Sequence, residues 1–243
     1  MKKYQPRQID GVLLLDKPIG ISSNQALQKI KHLFQAKKAG HTGTLDVLAS
    51  GLLIICFGKA TKLAGTLLNA NKSYQVTAKL GIKTTTCDAE GEIVATKPTD
   101  NITRELVEKT LQKFRGEILQ IPSMYSALKH NGTPLYKLAR KGIEVKREPR
   151  KVNIYELKLL DWRDDLLKLE ILCSKGTYVR NLVDDIGASL GCGAYVTELR
   201  RLSVGKFTAE QMYTIDQLQQ LYKSGDFPAI DAKILSTEIL LIP

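Results

Sequence analysis

The chain has 243 residues, 43% of them hydrophobic and 25% charged, enough for a sizeable core and for one or two domains. No run of about 18 apolar residues occurs and the polar N-terminus has no apolar signal core, so a cytoplasmic protein is expected rather than a membrane-spanning or secreted one. The net charge of +11 favours a polyanionic partner without saying which, because Lys and Arg release counterions from phosphates.

In chain order, GVLLLD (11–16) reads as a buried strand that leaves through Asp16-Lys17-Pro18. Residues 22–37 read as a helix. Ser22 and Gln25 make a capping box, Leu27, Ile30, Leu33 and Phe34 recur at helical spacing, and Gly40 is placed to stop it. The stretch GHTGTLDVLAS (40–50) then reads as a glycine-rich loop ending in a lone carboxylate, Asp46. For an anonymous Asp in such a loop, a turn or cap role is the usual explanation. LLIICF (52–57) reads as a second buried strand, and YQVTAKL (74–80) alternates like a half-buried one.

Residues 102–114 read as an amphipathic helix carried by Leu106, Val107, Leu111 and Phe114, followed by a strand over 115–120. Two apolar runs, 154–160 and 166–173, form a hairpin through 161–165. Residues 177–190 read as a helix with Val179, Leu182, Val183 and Ile186 on one face. Residues 214–222 form a short helix with Thr214 and Gln217 as a second capping box. Strands and helices interleave without a strict βαβ rhythm. That predicts an α+β (mixed α/β) fold with a mixed, mostly antiparallel central sheet flanked by helices.

One insert stands apart. Residues 129–151 hold eight cations, Lys129, Lys137, Arg140, Lys141, Lys146, Arg147, Arg150 and Lys151, with Tyr136 among them and the turn residues Asn131-Gly132, Pro134 and Gly142. A solvated basic face is the plain explanation of such a run. Its clustering and turns suggest instead an arm over 121–151 that grips phosphates. The four cysteines, Cys56, Cys87, Cys173 and Cys192, and the three histidines, His32, His41 and His130, show no metal-ligand spacing, so no metal is expected.

Taken together, GVLLLDKPIGISSN, AGHTGTLDVLASGLL, KSYQVTAKLG, IPSMYSALKHNGTPLYKLARKG and CSKGTYVRNLVDDIG closely resemble the TruB-type tRNA pseudouridine synthases, in that family's order from about residue 11 to 207. The resemblance implies the pseudouridine synthase fold, a catalytic domain over 11–210 preceded by a short tail (1–10), and a helical segment over 211–243. The PUA-like RNA-binding domain usual in bacterial members is not expected here; the chain is either a short member or a fragment. It implies isomerisation of uridine 55 in the T-loop of tRNA, with tRNA bound through its T-arm by a monomer, and no cofactor.

Residue by residue, the resemblance implies a catalytic set of Asp46, Tyr74 and Arg180. Lys17, Pro18, Tyr178, Leu199 and Asp88 would support it. His41, Lys129, Lys137, Arg140, Lys141, Arg147 and Arg150 would hold RNA, His41 by filling the place of the extruded base. Two departures sit inside the central motif: Val47 replaces the family's Pro and Ser50 its Thr. Losing Pro removes a fixed φ beside Asp46.

The chemistry agrees with those residue types. Breaking the N1–C1′ bond, turning the uracil and rejoining through C5 calls for an ionised carboxylate and neither redox cofactor nor metal. A base inside a folded loop must be flipped out and held, for which an aromatic face suffices. Two rivals remain: a non-catalytic RNA-binding or RNA-chaperone module, and a nucleotide-binding enzyme built on GHTGT. The latter lacks the GxxxxGK[ST] ending.

Overall fold

The structure, a computed structural model, describes residues 6–126 and 128–240; the first five residues of the 1–10 tail, Ala127 of the arm and the last three residues of the 211–243 segment lie outside them. The chain begins with β1 (Gly11–Lys17), α1 (Ser23–Leu33), β2 (Ala39–Thr42), β3 (Ala49–Phe57), α2 (Ala64–Asn69) and β4 (Lys72–Leu80). A small hairpin, β5 (Ile82–Thr84) and β6 (Ile93–Thr96), precedes α3 (Arg104–Lys113) and β7 (Gly116–Gln120). The arm contributes β8 (Lys129–His130), β9 (Thr133–Pro134) and α4 (Leu135–Ala139). Then come β10 (Arg150–Arg163), β11 (Leu166–Cys173), α5 (Val179–Leu190) and β12 (Ala194–Val204). The chain closes with β13 (Phe207–Thr208), β14 (Tyr213–Thr214), α6 (Ile215–Lys223) and α7 (Phe227–Asp231).

Contacts divide the chain into two compact units: residues 1–74 with 199–243, and residues 75–198. In the first, the strand order is β14-β1-β3-β12, with β2 beside β3 and β13 beside β12. Pairing is antiparallel between β1 and β3 and parallel between β3 and β12. From Leu52 to Phe57 central β3 is wholly apolar because it is buried on both faces, as Leu52, Leu53, Ile54, Ile55, Cys56 and Phe57 show. The β3–β12 pair comes so close at Gly51 that a Cβ there would lie 2.3 Å from the Arg201 carbonyl oxygen, so glycine is required. In the second unit, β11, β10 and β7 follow β4 in order, and both the β10–β11 and β10–β7 pairs are antiparallel. The expected mixed, mostly antiparallel sheet with flanking helices is therefore present.

Both predicted capping boxes form, Ser22 with Gln25 and Thr214 with Gln217. Three expectations change. The first helix stops at Leu33, not near residue 37, because Gln35 takes a left-handed conformation (φ 51°) and the chain then enters β2. GHT of the supposed loop is strand, with His41 opposite Ile55. On α3, Leu106 faces solvent and Thr110 is buried in its place. Among the described residues, no helix is long and apolar enough to cross a membrane.

Candidate active site

Asp46 follows directly on a backbone clamp. Ser23, in the first turn of α1, accepts from the Leu45 N–H at 2.8 Å and donates to the Leu45 carbonyl at 3.0 Å. A side-chain hydroxyl thus satisfies both polar groups of the residue before Asp46. The Asp46 carbonyl accepts from the Ala49 N–H at 3.1 Å, which closes a tight turn over Val47 and Leu48. Gly20 donates to the Val47 carbonyl at 2.9 Å, so the residue that replaces proline is held by its oxygen. Leu199 pairs with Ala49 and Arg200 with Ser50 across the β3–β12 ladder. The Ser50 hydroxyl accepts from Arg200 at 3.4 Å, and Arg200 also makes a two-pronged pair with Asp16 at 2.7 and 3.0 Å.

Two buried cations surround this turn. Lys17, at the end of β1, is fully buried and its ammonium donates to the carbonyls of Pro18 at 2.8 Å and Ile21 at 2.7 Å. Burial pulls its pKa down to about 8; attraction to Asp46 works against that and repulsion from Arg201 adds to it. Arg201 is buried on β12 and donates to the carbonyls of Leu52 at 2.7 Å and Gly43 at 3.0 Å. Gly43, at φ 67°, leaves room for that guanidinium: a Cβ there would stand 3.3 Å from it. A region this short of water and this positive suits an anion.

His41 lies on the same unit, half-buried, with its Nδ1 shielded from solvent and without a hydrogen-bond partner. Burial, and secondarily Arg201, lowers its pKa, so the ring is neutral near pH 7. Tyr74 is buried on β4. Two residues earlier, the buried Lys72 donates to the carbonyls of Leu68 at 2.9 Å and Ala70 at 2.5 Å, which caps the C-terminal end of α2.

The second unit gathers Arg180, Asp88, Tyr178 and the root of the arm. Arg180 sits in the first turn of α5, and 6% of it is exposed. Its guanidinium donates to Asp88 at 3.1 Å, to the Thr86 carbonyl at 3.2 Å and to the Tyr125 carbonyl at 3.2 Å. Asp88, 1% exposed, also accepts from the Thr86 hydroxyl and from the Glu90 N–H at 3.1 Å. Its loop is bound to β12 through Ala89 and Val196. Gln120 clamps Tyr178 by both backbone groups, accepting from its N–H at 3.0 Å and donating to its carbonyl at 3.1 Å.

In the arm, Asn131 and Gly132 both take positive φ and turn the β8–β9 hairpin, as an Asn-Gly pair does. Lys129, Lys137, Arg140, Lys141 and Arg150 are exposed. Arg140 lies over the Tyr136 ring, 5.5 Å from its centroid. Arg147 differs from these: it is half-buried, donating to Glu144 at 2.8 Å and to the Pro122 carbonyl at 3.4 Å. Under the arm, a cavity of about 330 Å³ is lined by Cys87, Met124, Tyr125, Arg147 and Asn181 among others.

Sequence reasoning passed over Arg201, Gln120, Lys72 and Ser23. Arg201 left a trace. In the alternation of β12 it shares a face with Leu199, so parity alone assigns its side chain to the interior.

Residues 31–179 match the model of the TruB family pseudouridylate synthase N-terminal domain, and residues 180–242 that of the tRNA pseudouridylate synthase B C-terminal domain. The tRNA pseudouridine synthase B of Coxiella burnetii (strain Dugway 5J108-111) is 54% identical over 239 residues, covering 98% of this chain and 77% of the relative. That of Aeromonas salmonicida (strain A449) is 51% identical over 240 residues, covering 99% and 75%. Among solved structures, a Cbf5-Nop10-Gar1 complex gives a TM-score of 0.74 at 28% identity, over 95% of this chain and 61% of the other. An H/ACA RNP bound to a substrate RNA containing 2′-deoxyuridine gives 0.70 at 26%, over 95% and 60%. A carboxylate held in a tight turn beside a buried lysine, on a chain matched along nearly its whole length, supports one assignment: the protein belongs to the TruB family of pseudouridylate synthases and is an isomerase.

Proposed function

We propose that the protein converts uridine 55 in the T-loop of tRNA to pseudouridine, in the cytoplasm and as a monomer, with residues 11–210 as its catalytic region. The observation that carries this reading is the setting of Asp46. It occupies a turn pinned on both sides, and the positive charge of Lys17 and Arg201 nearby offsets that of an ionised carboxylate. The reaction breaks the N1–C1′ bond, turns the uracil and forms a C5–C1′ bond. The C5 proton leaves to solvent and N1 takes one up, so atoms balance and no electrons are transferred. Asp46 serves the step at which the glycosidic bond is lost, by attack on C1′ or C6 or by taking a sugar proton.

The other residues take supporting parts. Tyr74 stacks on the flipped uracil, a contact worth about 1–3 kcal/mol. Arg180 serves the turnover step as a fixed cation, and Asp88 holds it. Tyr178 and Leu199 pack around the base, and Lys17-Pro18 support the pocket. His41, as a neutral flat ring, fills the gap in the T-loop. Lys129, Lys137, Arg140, Lys141 and Arg150 meet phosphates of the T-arm. Arg147, already held by Glu144 and Pro122, shapes the arm more than it reaches outward. Binding through the arm does not depend on Asp46, so tRNA-folding activity can accompany catalysis.

The substrate assignment is tested by mapping the product. Full tRNA and an isolated T-arm hairpin are each incubated with the enzyme, and pseudouridine is located by chemical mapping. Both are expected to be modified at position 55. Modification of full tRNA without the hairpin would contradict local T-arm recognition, and modification elsewhere would contradict the position.

A further inference from the structure

Gln120 is the last residue of β7 and 2% of it is exposed. Its side-chain amide copies a backbone pairing: Oε1 accepts from the Tyr178 N–H at 3.0 Å and Nε2 donates to the Tyr178 carbonyl at 3.1 Å. Tyr178 is the N-cap of α5 and makes no side-chain cap of its own. Its carbonyl also accepts from Leu182, the first intrahelical bond. The amide therefore fixes where α5 begins, two residues before Arg180. The contacts continue along the arm root. Asn181 donates to the Ile121 carbonyl at 2.9 Å, and Arg180 to the Tyr125 carbonyl at 3.2 Å. Residues 120, 121 and 125 are thus laced to 178, 181 and 180.

We propose that Gln120 is a positioning residue for Arg180, which couples the root of the RNA-gripping arm to the turnover step. This rests on the reading of Arg180 given above. The body of α5 does not need Gln120, since Val179, Leu182, Val183 and Ile186 hold it in the core. Losing the amide frees only the first turn. A displacement of about 1 Å in a group that orients the reacting atoms is enough to cost on the order of 100-fold in rate.

The test uses full-length enzyme and tRNA, under single-turnover conditions, with Kd measured separately. Gln120→Leu is expected to slow turnover by about 10–100-fold with Kd changed less than about twofold. Gln120→Glu gives a second readout. A protonated carboxyl donates and accepts as the amide does; an ionised one cannot donate to the Tyr178 carbonyl. Its rate relative to wild type should therefore rise towards unity as pH is lowered, while the Gln120→Leu ratio stays flat. In an Arg180→Lys background, Gln120→Leu should add little, because both changes remove one function. The proposal is overturned by wild-type turnover in Gln120→Leu, by a loss confined to Kd, or by flat Gln120→Glu ratios. Additive losses in the double variant overturn it too. Full turnover in Arg180→Lys itself sinks the reading of Arg180, whereas an impaired Arg180→Lys beside an unimpaired Gln120→Leu sinks this inference alone.

Discussion

Lys17 is an ammonium group held out of water beside a carboxylate, and its titration has a definite sign. Its pKa falls from 10.5 to about 8 in the folded protein. Between those values the unfolded chain holds the extra proton, so stability rises with pH across the window. At 1.36 kcal/mol per pKa unit the rise amounts to roughly 3 kcal/mol. Denaturant unfolding from pH 7.5 to 10.5 should show it, and Lys17→Met should remove it; identical pH slopes in the two proteins would contradict the buried ammonium. The sequence marked Lys17 only through its resemblance to a family motif. Arg201, the second buried cation, was legible only through the alternation of β12, against the ordinary expectation that a basic residue in a strand faces solvent. The carbonyls of Gly43 and Leu52 that hold Arg201 are 158 and 149 residues away in the chain, and composition or spacing carries no trace of such pairings.

At the scale of elements, legibility followed local physics. The two capping boxes, the alternating β4, the buried face of α5 and the Asn-Gly turn were all readable, since each depends on neighbours within about four residues. The end of α1 was not, because Gln35 rather than a glycine adopts the left-handed conformation. Nor was β2, whose pairing with β3 turns GHT from loop into strand. The arm was legible as a basic insert with turns, but not which of its cations were already engaged. Arg147 is tied to Glu144 and Pro122, whereas Lys137, Arg140 and Lys141 face solvent. Changing these three to Gln should weaken tRNA binding. The log Kd against log salt slope should flatten by about 2, at about 0.7 per lost single-strand contact. Filter binding across a salt series measures this, and an unchanged slope would remove α4 from the interface.

Across the whole molecule, the residues proposed as catalytic, supporting or base-replacing come from segments far apart in the chain and are divided between two compact units. Lys17, His41, Asp46, Tyr74 and Leu199 belong to one; Asp88, Tyr178 and Arg180 belong to the other. Each unit supplies its own fixed geometry, by Ser23 and Arg201 around Asp46 and by Gln120 and Asp88 around Arg180. The net charge of +11 favours a polyanionic partner and says nothing about the reaction, which is proposed to turn on a single carboxylate. That dependence is tested most directly by tritium release from tRNA carrying 5-tritiated uridine, under single turnover, comparing wild type with Asp46→Asn. The variant should bind tRNA with a Kd within about twofold of wild type while its release rate falls on the order of 10⁴-fold or more. Release by Asp46→Asn at a rate near that of wild type would contradict the assignment of Asp46 as the reacting carboxylate.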